Sequence, residues 1–360
     1  MESLQLAEIV LKVGVSFCLL IVFHELGHFL VAKRLGIAVE RFSIGFGPKI
    51  AGFRWGETEY LLAWIPLGGY VKLLGDDPRG EDKDNPRAFL RKPIPHRLAV
   101  VAAGPLANFA LAVVIFAVVH GVGVPSAQLP ELPVIGEVLA DSPAMQAGLQ
   151  KGDRIVALDG RPIEKWEDLV QTIHRSANVP LHLRVQRGGD AFDVRLTPRP
   201  GRVVKDLEEV EVGLIGVAPQ VEVTFLQYPP HVALYKGVEK TWELTVLTVQ
   251  SLVKMLQGKI SPRHLAGPVG IFQMAGQQAR VGILPLISLV GVLSISLGIL
   301  NLFPIPILDG GHILFFTLEG VLGGPISARK QEIATQVGLF LLMALMLTAF
   351  YNDLLRIFTN

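Results

Sequence analysis

Residues 13–32 form an apolar run long enough to cross a bilayer, and the only formally charged residue in it, Glu25, lies inside the cluster His24-Glu25-Leu26-Gly27-His28. A carboxylate and two imidazoles in hydrocarbon are costly, roughly 2.5–3.5 kcal/mol for an acidic residue at a helix centre on the mildest scale, so such groups mark function by default. Residues four apart on an α-helix lie about 40° apart round its axis. His24 and His28 therefore share one face and are able to bind one metal ion, while Glu25 stands beside that face, where it can take a proton from an attacking water. An HExxH pattern arises by accident in roughly one chain in a hundred of this length. A helix bundle also gains nothing from a glutamate wedged against two histidines in lipid, so metal binding is the expected role.

Of 360 residues, 50% are hydrophobic and 18% charged, a balance between a soluble enzyme and a fully embedded transporter, which predicts mixed architecture. With a net charge of +1 and no cluster of Lys and Arg interleaved with aromatics, no nucleic-acid partner is expected. The single cysteine, Cys18, has no intrachain disulfide partner and reads as small apolar packing in the first span. That span is not read as a cleavable signal peptide, because its removal would discard the HExxH cluster.

Three further stretches reach spanning length, residues 98–122, 281–308 and 333–351, giving an expected total of four transmembrane helices. Lys and Arg crowd the first loop, from Lys33 and Arg34 to Arg97, and Arg329 and Lys330 sit in the last. By the positive-inside rule both loops are cytoplasmic, which puts both termini and the region 123–280 on the external side. Within the first loop, residues 42–74 are rich in Gly, Pro and aromatics and read as a β-hairpin with strands at 59–65 and 70–74. These strands are apolar enough to dip toward the metal with a free edge, and 59–65 is the strand expected to pair with substrate. The charged stretch 76–86 reads as a solvated linker.

Residues 125–199 carry the pattern of a compact α+β domain. A strand at 134–139 precedes Asp141-Ser142-Pro143, Ala147-Gly148-Leu149 and Gly152-Asp153, then come a strand at 154–158, a helix at 165–174 and a hairpin turning at Gly188-Gly189. This resembles a bacterial PDZ domain, which implies capture of a peptide C-terminus by strand addition, with Val134, Ile135 and Gly136 as its groove. No second Gly-Asp-Arg-Ile pattern follows, so a single PDZ domain is expected. The stretch 232–256 is helical and patterned, with an uncharged core too short to span; a membrane-surface helix and a packed linker helix are equally compatible with it.

A catalytic zinc site needs three protein ligands and an open position. Asn301 to Gly311 ends the third apolar run with Pro304, Pro306, Asp309 and two glycines, and prolines at membrane depth are tolerated only in protein-buried or cavity-lining backbone. Asp309 is thus a carboxylate in a distorted membrane helix that needs a cation, unless the segment is simply an exit turn.

These motifs, together with Gly-Pro-Leu-Ala-Asn-Phe at 104–109 and Gly267-Pro268, resemble the site-2 protease family in its bacterial single-PDZ form across essentially the whole chain. The resemblance implies Zn2+ bound by His24, His28 and Asp309, Glu25 as general base, and substrate contacts from Asn301, Gly68 and Gly69. It implies a bacterial inner-membrane enzyme that cleaves single-span membrane proteins, an anti-sigma factor among the candidates, with membrane lipid around it and the PDZ domain on the periplasmic side. The expected layout is residues 1–122 for two transmembrane helices and the hairpin, 123–200 for PDZ, 201–280 for a linker and surface helix, and 281–360 for the last two spans. A metal transporter or a PDZ membrane scaffold are the alternatives; a transporter has no use for Glu25, and a silent scaffold would be expected to have lost one of the four polar residues.

Overall fold

The computed structural model describes residues 2–77, 85–128, 132–205, 208–220, 222–261 and 266–359. Residues 78–84 of the expected linker lie outside the described residues. The chain begins with α1 (Glu2–Arg34), β1 (Val39–Trp55), β2 (Thr58–Leu73) and α2 (Ile94–Val122). It continues through β3 (Val124–Gln128), β4 (Ile135–Val138), α3 (Pro143–Gln146), β5 (Arg154–Leu158), β6 (Arg161–Pro162), α4 (Trp166–His174), β7 (Leu181–Arg187) and β8 (Asp190–Leu196). There follow β9 (Arg199–Lys205), β10 (Glu208–Leu214), β11 (Val217–Pro219), β12 (Glu222–Leu226), α5 (Pro230–Leu256), α6 (Pro268–Val281), α7 (Ile283–Asn301), α8 (Asp309–Leu322) and α9 (Ala328–Thr359). Two units separate: Met1–Val122 with Tyr228–Asn360, and Gly123–Gln227.

Among the described residues of the helical unit, four helices are long and apolar enough to span a bilayer: Glu8–Arg34, Ile94–Val122, Ile283–Asn301 and Ala328–Arg356. The third stops at Asn301 rather than running to residue 308. Pro304 and Pro306 offer no backbone donors, so the chain leaves the helix and restarts at Asp309 as α8. The restart is tight. A Cβ on Gly310 would lie 2.2 Å from the Phe303 carbonyl oxygen, and one on Gly311 2.4 Å from that of Ile305, so neither glycine has room for a side chain.

The stretch left open between a surface helix and a packed one forms α5 and packs. Its small positions Ala233, Gly237 and Thr241 are buried, a Cβ on Gly237 would meet the Val113 carbonyl of α2, and Leu244 and Leu252 lie against Ala112, Phe116, Ile295 and Ile299. At the chain's end, Asp353 of α9 is buried and accepts the backbone N–H groups of Gly267 and Gly270, capping α6 from another helix.

The hairpin is more elaborate than expected. Residues 39–44 of β1 pair antiparallel on one side with 69–73 and on the other with 59–62, and the latter segment pairs again with 51–54. Expected substrate strand 59–65 is therefore interior over most of its length. Cross-strand aromatics fix this order, with Tyr60 stacked on Phe53, beside Phe42, and with Phe29 of α1 against both Phe42 and Tyr60. Among the described residues, the two segments left with a strand partner on one side only are 51–54 and 69–73.

The unit Gly123–Gln227 has its own core, in which Ile135, Ile155, Leu158, Leu169, Leu181, Leu183 and Val185 are at most 2% exposed. The sheet order β6-β5-β7-β8, the pair β11-β4 and the helices α3 and α4 give the expected PDZ-type α+β domain. Ser142 caps α3 by accepting the Met145 N–H, and buried Asp153 holds the loop before β5, accepting from the Gln150 N–H and the Arg187 guanidinium. The domain closes beyond residue 200, because β11 completes the sheet beside β4 and Ile215 enters the core.

This arrangement corrects the expected groove. Ile135 exchanges hydrogen bonds with Asp153 and Gly152 on one flank, while on the other Val134 accepts from the Gln220 N–H and Ile135 pairs with Pro219. With both flanks taken, Val134, Ile135 and Gly136 have no edge to offer a peptide, and Ile135 is fully buried. Among the described residues, the edge of that pair without a further strand partner belongs to β11.

Candidate metal centre

The centre is assembled where α1 and α2 cross. A Cβ on Gly27 would lie 2.2 Å from the Ala103 carbonyl oxygen, and one on Gly104 2.2 Å from His28 Nε2 and 2.8 Å from His24 Cε1. Only hydrogen at both positions lets the helices approach this far. On α2, Val100, Gly104 and Asn108 recur every fourth residue and so share the face turned to the two imidazoles. His28 Nδ1 lies 2.8 Å from the Val100 carbonyl oxygen, and His24 Nδ1 lies 3.2 Å from the Asn108 side-chain amide. A carbonyl only accepts, so His28 carries its proton on Nδ1 and presents a lone pair at Nε2.

Both Nε2 atoms converge on Asp309, whose Oδ2 lies 3.2 Å from that of His24 and 3.5 Å from that of His28, while the two Nε2 atoms are 3.3 Å apart. Zinc with ligands at about 2.0–2.1 Å in a tetrahedron places those ligands about 3.3 Å from one another. The triangle fits such an ion. Asp309 Oδ2 is buried and meets no hydrogen-bond donor of good geometry among the described residues, as an oxygen reserved for a cation would. Among the described residues, His24, His28 and Asp309 are the group of His, Cys, Asp and Glu side chains able to hold a metal ion together. Asp309 gets there as the first residue of α8, carried by the break after Asn301.

Glu25, Asn301, Tyr70 and Val71 line the same cavity of about 740 Å3 as the three ligand candidates. Tyr70 and Val71 share the cavity wall with Glu25, and a Cβ on Gly69 would lie 3.1 Å from Glu25 Cγ, which puts the edge 69–73 beside the carboxylate. Gly69 allows that approach, since the same Cβ would also lie 2.8 Å from the Ser43 carbonyl oxygen. Gly68 has φ +153°, and a Cβ on it would run into the Phe46 ring. Arg97, which also lines the cavity, makes two hydrogen bonds, 2.7 and 2.9 Å, to Glu319, lies over the Phe316 ring, and ties the start of α2 to α8.

Sequence reasoning thus reached His24, Glu25, His28, Asp309 and Asn301, all in one cavity. It missed Asn108, the Val100 carbonyl, Gly27 and the Arg97–Glu319 pair. Asn108 carried a signal: an asparagine within an otherwise apolar span needs a polar partner.

The model of Peptidase family M50 matches residues 13–345. "Putative zinc metalloprotease Atu1380" of Agrobacterium fabrum is 36% identical, over 93% of each chain. "Regulator of sigma-E protease RseP" of Salmonella typhimurium is 34% identical and that of Escherichia coli 31%, each over 98% of both chains. Among solved structures, the PDZ domain of an SdrC-like protein from Listeria monocytogenes matches with a TM-score of 0.21 and 16% identity, over 26% of this chain and 90% of that one.

Proposed function

This chain belongs to peptidase family M50 and is a membrane metalloprotease of the site-2 type, and from that premise we propose that His24, His28 and Asp309 hold a catalytic zinc for cleavage within the spans of single-pass membrane proteins. The observation that carries this reading is the triangle of Nε2, Nε2 and Oδ2 atoms, 3.2–3.5 Å on each side, in one cavity with Glu25. Zinc bound there supplies a Lewis acid for the scissile carbonyl and makes water acidic enough to ionise near neutral pH.

The protein's own groups do the rest. Glu25 accepts the proton of the attacking water and returns it to the leaving amine. A transmembrane helix hides its peptide bonds in its own hydrogen bonds, so a substrate has to unwind before attack. The edge 69–73 replaces those bonds with sheet bonds beside Glu25, in place of the interior strand first expected to do so. In this reading Asn301, whose position on the cavity wall supports the role, hydrogen-bonds unwound substrate backbone. Buried Val100 and Val101 with Leu308 limit water around the reacting groups.

The charge bias of the loops supports an inner-membrane orientation with Gly123–Gln227 on the periplasmic side. There the outer edge of β11 is the position for a peptide C-terminus, and the family resemblance makes an anti-sigma factor the first substrate class to try. The reading is tested by reconstituting the protein in lipid vesicles with a single-span substrate and weighing the products. A cut inside the span, abolished by chelator, restored by zinc and absent with Glu25→Gln, is expected. A cut outside the span, or undiminished cutting by Glu25→Gln, would overturn it.

A further inference from the structure

Asn108 has no exposed surface, and its backbone carbonyl accepts the hydroxyl of equally buried Ser294 on α7 at 2.8 Å. Its side-chain nitrogen lies 3.2 Å from His24 Nδ1, and its Oδ1 meets no donor among the described residues. In this orientation the amide donates, so a neutral His24 carries its proton on Nε2, 3.3 Å from His28 Nε2. A histidine in that tautomer has no lone pair at Nε2 for a metal.

An amide's nitrogen and oxygen exchange places by a half-turn about its last bond. Turned so, Oδ1 lies against His24 Nδ1 and accepts its proton, which leaves Nε2 free to ligate. The turn exchanges one unpartnered polar atom for another, so the demand of His24 decides the orientation. His28 needs no such partner to choose, because the Val100 carbonyl can only accept.

Resting on the zinc reading above, we propose that Asn108 is the positioning residue for His24, which in the loaded enzyme holds the imidazole through an Nδ1–H to Oδ1 bond and fixes the tautomer that ligates. Partners of this kind behind a metal-bound histidine are worth about 10–100-fold in metal affinity. The pairing links three helices, since α1 carries His24, α2 carries Asn108 and α7 holds Asn108 in place through Ser294.

The test is zinc affinity of the full-length protein by competition with a chromophoric chelator. Asn108→Leu, which keeps the volume and loses the acceptor, should bind about 10–100-fold more weakly. Asn108→Asp, which accepts in either orientation, should stay within about threefold of wild type or bind more tightly, a rescue that a packing role alone would not give. Equal affinity for Asn108→Leu and wild type, or equal loss in Leu and Asp variants, would overturn the inference while leaving the zinc reading intact. Wild type that binds no zinc would overturn both. Nitrogen-15 NMR of the zinc-loaded wild type needs no variant to fold: a protonated Nδ1 on His24 is expected, and an unprotonated one refutes the assignment.

Discussion

Replacing Gly104 by alanine adds a single methyl group at the crossing of α1 and α2. The new carbon would lie 2.2 Å from His28 Nε2, 2.5 Å from its Cε1 and 2.8 Å from His24 Cε1. Ordinary contact between such atoms begins near about 3.5 Å, so either the helices part by roughly 1 Å or the rings turn away. Gly27 already sits against the Ala103 backbone, and His28 Nδ1 is anchored on Val100, so both responses break something that positions the ligands. Overpacking of this kind costs about 1–3 kcal/mol, which the helix propensity gained from glycine to alanine, about 1 kcal/mol, offsets only in part. Function is hit harder than stability, since a misplacement of about 1 Å can cost around a hundredfold in rate. We expect Gly104→Ala to weaken zinc at least about tenfold, or roughly 1.4 kcal/mol, and to cut cleavage further. Chelator competition and thermal unfolding measure the two effects, with Gly14→Ala on α1, where a Cβ meets nothing within 4 Å, as the matched control. Zinc affinity and turnover within threefold of wild type would refute the close-crossing argument.

Val71→Pro removes an N–H from the edge 69–73 beside Glu25, so cleavage should fall at least about tenfold with zinc retained, as read by product mass and metal analysis; unchanged cleavage would remove this edge from substrate binding. Burial of Asp153 pushes its carboxyl pKa up, but the Arg187 guanidinium and the Gln150 N–H bring it below the usual range. The stability this gives is complete above the unfolded pKa of about 3.9 and is lost as pH falls through the lower folded value. Arg187→Ala should therefore move acid unfolding of Gly123–Gln227 to higher pH, read by proteolysis across a pH series. If this unit gates substrate entry, deleting all of Gly123–Gln227 with a short linker should admit substrates with bulky external domains. A folded, zinc-loaded deletion protein that still cuts only trimmed substrate would make the unit a docking module instead.

What was legible in the sequence was chemistry written locally. His24, Glu25 and His28 declare themselves by helical spacing within an apolar run, and Asp309 by being a carboxylate among prolines and glycines where neither suits a lipid-facing helix. What escaped depends on pairing across distance. Whether 59–65 or 69–73 is an edge depends on β1 pairing on both its sides, and apolar content does not report that. The PDZ resemblance implies a groove at Val134, Ile135 and Gly136, yet the strand that occupies their flank, Val217–Pro219, arrives some eighty residues later. The same late strand carries the domain past residue 200 to Gln227. Asn108 and the Val100 carbonyl acquire roles only once two glycines let the helices touch.

The most direct test of the central claim is zinc-edge X-ray absorption on the purified full-length protein and its Glu25→Gln and Asp309→Ala variants. The account predicts nitrogen and oxygen neighbours at about 2.0–2.1 Å with the multiple scattering of two imidazoles, the same spectrum for Glu25→Gln, and one oxygen neighbour changed or zinc depleted for Asp309→Ala. A sulfur neighbour at about 2.3 Å, fewer than two imidazoles, or a spectrum and occupancy untouched by Asp309→Ala would contradict it.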